Sequence, residues 1–220
     1  MKIVIADSKN WFVLNDKIKN THDVYYFKCK RSFTLEKIKS ISPDVIFFPH
    51  WNHKVEKQIF ENFDCIVFHT APLPYGRGGS PIQNLILNGF TKSPVCALKM
   101  VEEMDSGPIY MKKVVSLKGS LETIFKRINK AINKIIEEII TFSPQPIPQT
   151  GDIFKFKRKT SKENALPKNS DLKEVFDRIR MLDDPNYPNA YIEYGNFRFE
   201  FSKASLSKDN IKVTCRIYKC

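Results

Sequence analysis

No apolar run in these 220 residues approaches the length needed to cross a bilayer. The opening residues, Met1-Lys2-Ile3-Val4-Ile5-Ala6-Asp7, also lack the long apolar stretch and cleavage site of a secretory signal. Cysteine is sparse and irregularly placed. Cys29, Cys65, Cys96, Cys215 and Cys220 show no C-x-x-C spacing, which argues against both a disulfide framework and a structural zinc site. A reducing cytoplasm is the expected compartment. No G-x-G-x-x-G pattern opens a helix, so the glycines at 76, 78 and 79 are not a phosphate-binding fingerprint. Neither zinc-finger spacing nor an RNP-like aromatic signature marks a nucleic-acid module. Acidic residues are outnumbered: 24 Asp and Glu against 36 Lys and Arg leave a net charge of +12, which concentrates anionic ligands near the surface. Nucleic acid, nucleotide-sugars and polyanionic cofactors fit that charge equally, and so does a solvated lysine surface with no ligand.

What is present is a hydrophobic content of 42%, enough for one substantial core and a small appendage. Ile3 to Ala6, Asp44 to Phe48 and Cys65 to Phe68 are short apolar runs that read as buried parallel strands. Between the last two, Lys54 to Phe60 carries Val55, Ile59 and Phe60 at helical spacing, so strand, helix and strand alternate. The expected fold is α/β, a doubly wound, mostly parallel sheet. Pro81 to Asn88 reads as a helix with proline in its first turn. Val95 to Met100 and Ile109 to Val115 read as strands around the turn Met104-Asp105-Ser106-Gly107-Pro108. A long helix is expected from Ser120, a suitable N-cap, to about Phe142, because Leu121, Ile124, Phe125, Ile128, Ile132, Ile135, Ile136 and Ile139 recur at steps of three and four. Pro144, Pro146 and Pro148 stop it, and the main domain is expected over 1–145. Residues 146–220 then form a small module: a basic stretch from Lys155 to Lys162, a helix from Asp171 to Leu182, and a β-rich tail from Tyr187.

The segment Phe68-His69-Thr70-Ala71-Pro72-Leu73-Pro74-Tyr75-Gly76-Arg77-Gly78-Gly79-Ser80-Pro81-Ile82 places a histidine at the carboxyl end of a buried strand, where open α/β sheets bind ligands. The prolines and glycines after it fix an irregular backbone that a flat ligand can approach. Asp105, on the second loop, supplies a carboxylate. Taken singly, each residue has an ordinary alternative: a histidine after a strand is commonly structural, and an aspartate before Ser106-Gly107 commonly caps its own turn.

Together these residues resemble the folate-dependent formyltransferases, a family that includes methionyl-tRNA formyltransferase and the N-formyltransferases of nucleotide-linked amino sugars. The resemblance rests on His69 with Leu73-Pro74, Arg77-Gly78 and Ser80-Pro81-Ile82, on Met104-Asp105-Ser106-Gly107-Pro108-Ile109, and on the 36 positions that separate His69 from Asp105. It covers Met1 to about Phe142. The wording of Pro49-His50-Trp51-Asn52 and of Leu73 to Pro81 is more similar to the sugar-modifying branch. That likeness implies formylation of the 4-amino group of a UDP- or dTDP-linked dideoxy sugar, as in pseudaminic-acid-type surface glycans. Methionyl-tRNA formylation and a non-catalytic folate- or nucleotide-binding homologue stand as alternatives, and nucleic acid is the disfavoured partner because the tail is short.

The resemblance implies 10-formyltetrahydrofolate as co-substrate, with no metal and no membrane partner, and an exposed apolar face would favour a homodimer. His69 and Asp105 are the implied catalytic pair, His69 for proton transfer or oxyanion stabilisation. The family's asparagine, two residues before the histidine, is replaced by Val67, which cannot donate to a developing oxyanion. Asn52 and His50 are the candidate replacements. Trp51, Pro72, Leu73, Pro74, Gly78, Gly79 and Met104 are expected around the folate, with Phe48 as an alternative stacking partner. Arg77 and Lys113 are expected at substrate phosphates, and Tyr187 and Tyr191 against a base.

Overall fold

The computed structural model describes residues 1–9 and 11–219, so Cys220 lies outside the described residues. The first apolar run forms the strand Lys2–Asp7 (β1), in which Ile3, Val4, Ile5 and Ala6 have no solvent exposure. Alternate residues of a strand face opposite sides, so a run buried throughout requires cover on both faces. Around β1 lie Asp23–Phe27 (β2), Val45–His50 (β3), Cys65–His69 (β4), Lys92–Lys99 (β6) and Ile109–Ser116 (β7), in the order β2-β1-β3-β4-β6-β7. The first four strands in that order run parallel, β6 runs against them and β7, antiparallel to β6, runs with them again, giving the doubly wound, mostly parallel sheet that the apolar runs predict.

One face of the sheet packs Ile5, Phe47 and Leu98 against the helices Asp16–Thr21 (α1), Pro81–Leu87 (α4) and Leu121–Phe142 (α5). The other packs Val4, Ile46 and Phe48 against Leu35–Ile41 (α2) and Lys57–Asn62 (α3). The helix expected from Lys54 therefore starts at Lys57, after an extended Glu56. Helix α5 has the expected bounds: the Ser120 hydroxyl accepts from Thr123 N, and the buried stripe includes Ile124, Ile128, Ile132, Ile135 and Ile136. Burial of each such side chain stabilises the fold by roughly 2 kcal/mol.

Strand β7 ends level with the start of β6, since Ser116 lies opposite Lys92. The 22 residues of α5, about 33 Å of helix, then carry the chain back along the sheet to the start of β7, where Ile147 bridges Ile109. Beyond Ile147 the chain forms a strap. Its three-residue strand Phe154–Phe156 (β8) pairs in parallel with Tyr75–Gly78 (β5), the glycine-rich strand after His69.

The C-terminal part contains a helix, Leu172–Arg180 (α6), capped by the Asp171 carboxylate, and an antiparallel sheet of Ala190–Tyr194 (β9), Phe197–Leu206 (β10) and Ile211–Lys219 (β11). Ile179, Met181, Leu182 and Ala190 join the cluster on the α5 side, so the two parts share one core. Arg180 anchors the junction. Its guanidinium donates to the carbonyls of Leu117 and Gly119, at 2.6 and 3.0 Å, and to the Asp177 carboxylate. No helix among the described residues is long and apolar enough to cross a membrane.

Candidate active site

His69 ends β4 and is buried, with its ring held by the backbone: Nε2 lies 2.8 Å from the carbonyl oxygen of Gly76. A carbonyl only accepts, so that contact puts the ring N–H on Nε2. Nδ1 is left facing Asp105 Oδ2 at 3.5 Å. Because β6 runs antiparallel, its exit at Met100 is level with Cys65 at the start of β4, and the loop after it folds back along β4 to bring Asp105 to His69. Asp105 has a left-handed backbone, φ +56°, and its Oδ2 also accepts from Gly78 N at 2.9 Å. The turn that presents it is pressed onto β6. A Cβ at Gly107 would sit 1.8 Å from the Lys99 carbonyl oxygen, so only glycine fits there.

The strap covers the glycine strand. A Cβ on Gly76 would meet the Phe156 ring at 2.7 Å, one on Gly78 the Phe156 carbonyl oxygen at 2.5 Å, and one on Gly79 the Arg158 side chain at 2.5 Å. Tyr75 stacks on Phe154 with ring centroids 5.0 Å apart. Gln149, at the start of the strap, donates from Nε2 to the carbonyls of Asp105 and Gly107, both at 2.8 Å. Its Oε1 accepts from Nε and Nη2 of the buried Arg77, at 3.1 and 2.9 Å. Sequence reasoning missed Gln149, and no periodicity or motif marks it.

The remaining candidates are scattered. The β1–β3 ladder shifts register so that Asp7 lies opposite His50, and His50 packs edge-on against Trp11, which stacks on Phe125 of α5. Burial and the nearby Lys9 and Arg158 charges push the His50 imidazole down to about 4, so it is neutral at neutral pH. Its Nδ1 has no described partner. The Asn52 side chain is exposed, and neither it nor His50 contacts His69 in any described hydrogen bond. Trp51 packs on Phe33 and Phe48 in the α2–α3 layer, whereas Leu73 belongs to the opposite layer. Phe48 is fully buried in that layer, which corrects its reading as a stacking partner for folate.

Leu73 and Pro74 are buried and Pro72 half-buried, while Met104 is 68% exposed beside Asp105. The Gly78 N–H is already committed to Asp105, and the Cα face of Gly79 to Arg158. Arg77, expected at a phosphate, is committed to Gln149. Lys113 lies on β7 and pairs with Glu138 of α5 at 2.9 Å, not with the His69 corner. Tyr187 packs on Phe125 beneath the Lys9 ammonium, and burial pushes its phenol up. Tyr191 sits elsewhere, under the Arg198 guanidinium at 3.7 Å. Asp7, unmarked in the sequence reading, is fully buried at the end of β1 and bonded to Lys28.

This arrangement coincides with a known family. Residues 4–140 match the family model described as formyl transferase, and the chain belongs to that family. Residues 161–218 match a second model, described as the C-terminal domain of methionyl-tRNA formyltransferase. Among solved structures, methionyl-tRNA formyltransferase from Clostridium thermocellum is similar over 100% of both chains, with 39% identity and a TM-score of 0.96. Among curated proteins, methionyl-tRNA formyltransferase from Mesoplasma florum is 30% identical over 84% of this chain and 61% of its own length. The chain thus spans about three fifths of the length of the curated relatives it matches. A 4-N formyltransferase from Francisella tularensis shares the fold at 19% identity, with a TM-score of 0.65 over 87% of this chain and 91% of its own.

These likenesses overturn the assignment to the nucleotide-sugar branch, and with it the nucleotide-sugar partner and the glycan-biosynthesis role. The nearer relatives carry the methionyl-tRNA name, and the sugar enzyme is like this chain in fold alone. The physical reason lies in the loop wording that suggested sugars. Gly76, Gly78 and Gly79 are required by Phe156 and Arg158 of the strap, so the loop reports its own packing rather than a substrate.

Proposed function

We propose that this protein transfers a formyl group from 10-formyltetrahydrofolate to the amino group of methionyl-tRNA. The observation that carries the reading is the His69–Asp105 pair, set in a chain that matches the Clostridium enzyme end to end at 39% identity. The +12 charge supports an anionic polymer as partner, because phosphate contacts dominate such binding. Lys203, Lys208, Lys212, Arg216 and Lys219 are exposed in the C-terminal part, where Asp209 is the single acidic residue between 201 and 219. Nucleic acid, disfavoured on the length of the tail, becomes the proposed partner.

Bound 10-formyltetrahydrofolate supplies the formyl carbon and a leaving amine. Val101 and Met104, exposed on the loop that carries Asp105, offer apolar side chains to the face of its flat pterin head. With the proton on Nε2 fixed by Gly76, Nδ1 of His69 and Oδ2 of Asp105 form two adjacent acceptors. They suit an ammonium group, which gives one proton to the pair and then attacks as a neutral amine. While the neutral amine attacks and its C–N bond forms, the protonated Nδ1 faces the formyl oxygen as a donor for its developing charge, supplying what Val67 cannot. As the carbonyl re-forms and the C–N bond to the donor breaks, His69 passes that proton to the departing nitrogen, and the new amide nitrogen loses its second proton through Asp105 to water. Asn52 and His50 are the other donors to test: unchanged turnover in both Asn52→Ala and His50→Ala removes them from the mechanism.

The deciding experiment incubates the purified protein with 10-formyltetrahydrofolate and methionyl-tRNA and follows formylmethionyl-tRNA. Its formation, with an activity that falls as salt rises, is expected. Tetrahydrofolate release that is independent of the tRNA would overturn the proposal in favour of hydrolysis.

A further inference from the structure

Gln149 lies between the two segments that match family models, 4–140 and 161–218, and it closes a ring of contacts around Asp105. The ring begins on β5. The Gly76 carbonyl holds His69, the Gly78 amide holds the Asp105 carboxylate, and Arg77 between them reaches Gln149. Gln149 then returns to the Asp105 and Gly107 carbonyls. The two-point contact from Arg77 fixes which end of the amide faces which way: with Oε1 turned to the guanidinium, the NH2 group must point at the two carbonyls. Both its hydrogens are used. The tie acts on a residue that needs one, because a left-handed backbone at a non-glycine such as Asp105 is strained by about 1 kcal/mol.

We infer that Arg77 and Gln149 are a positioning pair that sets the Asp105 carboxylate against His69. Arg77 touches no substrate. It orients Gln149, and Gln149 holds the carbonyls of Asp105 and Gly107, the residues on either side of Ser106, so that Oδ2 stays within reach of both Gly78 N and His69 Nδ1. The kinetic part of this inference rests on the proposed formyl transfer, and the hydrogen-exchange part does not.

The test uses the full chain with Gln149→Leu, which keeps the volume and removes every hydrogen bond. Gln149→Glu keeps an acceptor for Arg77 but cannot donate to the carbonyls, and Arg77→Lys keeps the charge but loses the two-point contact. Amide hydrogen exchange at Gly78 reads the Asp105 contact directly. It should accelerate about tenfold or more in Gln149→Leu and Gln149→Glu, as in Asp105→Ala, while core amides of Ile5 and Phe47 exchange as in the parent. Turnover of methionyl-tRNA should fall about a hundredfold in kcat, the size expected for a catalytic group displaced by an ångström, with KM changed less than about threefold. Arg77→Lys should lie between the parent and Gln149→Leu.

Unchanged Gly78 exchange in both Gln149 variants overturns the positioning role whatever the substrate is. A rise in exchange at Ile5 and Phe47 equal to that at Gly78 also overturns it, because the tie would then be global stabilisation. If Gln149→Leu fails to fold, Gln149→Glu and Arg77→Lys decide the matter by the same readings. If the parent does not formylate methionyl-tRNA while Gly78 exchange responds as expected, the proposed function fails and the positioning role stands.

Discussion

The corner around His69 and the distal sheet of β9 to β11 are built on opposite principles. At the corner, polar side chains are buried or half-buried and tied to backbone: His69 to Gly76, Asp105 to Gly78, Gln149 to two carbonyls. In the distal sheet the ladders hold the backbone, and the side chains of β11 from Lys212 to Lys219 are all exposed, Ile217 at 60%. Buried polar groups are costly when a partner is removed, whereas an exposed apolar residue has little left to lose. Substitutions should therefore act sharply in the first region and weakly in the second.

The largest effect should come from the pair itself. His69→Ala and Asp105→Ala are each expected to lower formylation by about a thousandfold, roughly 4 kcal/mol of barrier, and to lower stability by about 1 to 2 kcal/mol as the Gly76 carbonyl or the Gly78 amide loses its partner. A fall of less than about tenfold in either would remove the pair from the chemistry. Gly107→Ala should come second, because its methyl group would overlap the Lys99 carbonyl at 1.8 Å. A loss on the order of 3 kcal/mol in urea unfolding is expected. Parental stability would mean that the turn moves freely, and the contrast between rigid corner and loose sheet would break.

Acid should come next. His50 titrates at about 4 in the folded chain against 6.5 when solvated, so between those values the unfolded chain binds more protons. Stability is full above about pH 6.5, declines as the pH falls toward about 4, and the total decline is on the order of 3 kcal/mol. His50→Gln should flatten that part of the curve in urea unfolding at pH 4 to 7. The smallest effect belongs to the distal sheet: Ile217→Lys should change stability by less than about 0.5 kcal/mol, and a larger loss would show that this face is covered in solution.

Much of this was legible in the chain. Strands β1, β3 and β4 are covered on both faces and so read as plain apolar runs, and α5 shows its buried stripe over 22 residues. The region from 16 to 41 was not legible. Helices α1 and α2 have only 6 and 7 residues, and the run Val24-Tyr25-Tyr26-Phe27 of β2, an edge strand with both tyrosines exposed, lacks the aliphatic residues of a strand covered on both faces. In the site, His69 and Asp105 stood out by their loops and separation. Arg77 stood out as well, but for a phosphate rather than for Gln149, because a buried arginine and a phosphate-binding arginine look the same in sequence. Gln149 had no signal at all, since its partners are main-chain carbonyls that every residue possesses. The glycines at 76, 78 and 79 were visible but misread, because Phe156, the residue that requires two of them, lies some eighty positions away.

That separation sets an order of events during synthesis. When the ribosome has delivered the chain through Phe142, every strand of the main sheet is available, yet the corner still lacks the amide that steadies Asp105 and the aromatic ring that seats on Gly76. Both arrive with the strap, after the long helix has carried the chain back across the sheet. The scaffold can thus fold before His69 and Asp105 are aligned, and the strap that emerges after it is the stretch that completes the corner.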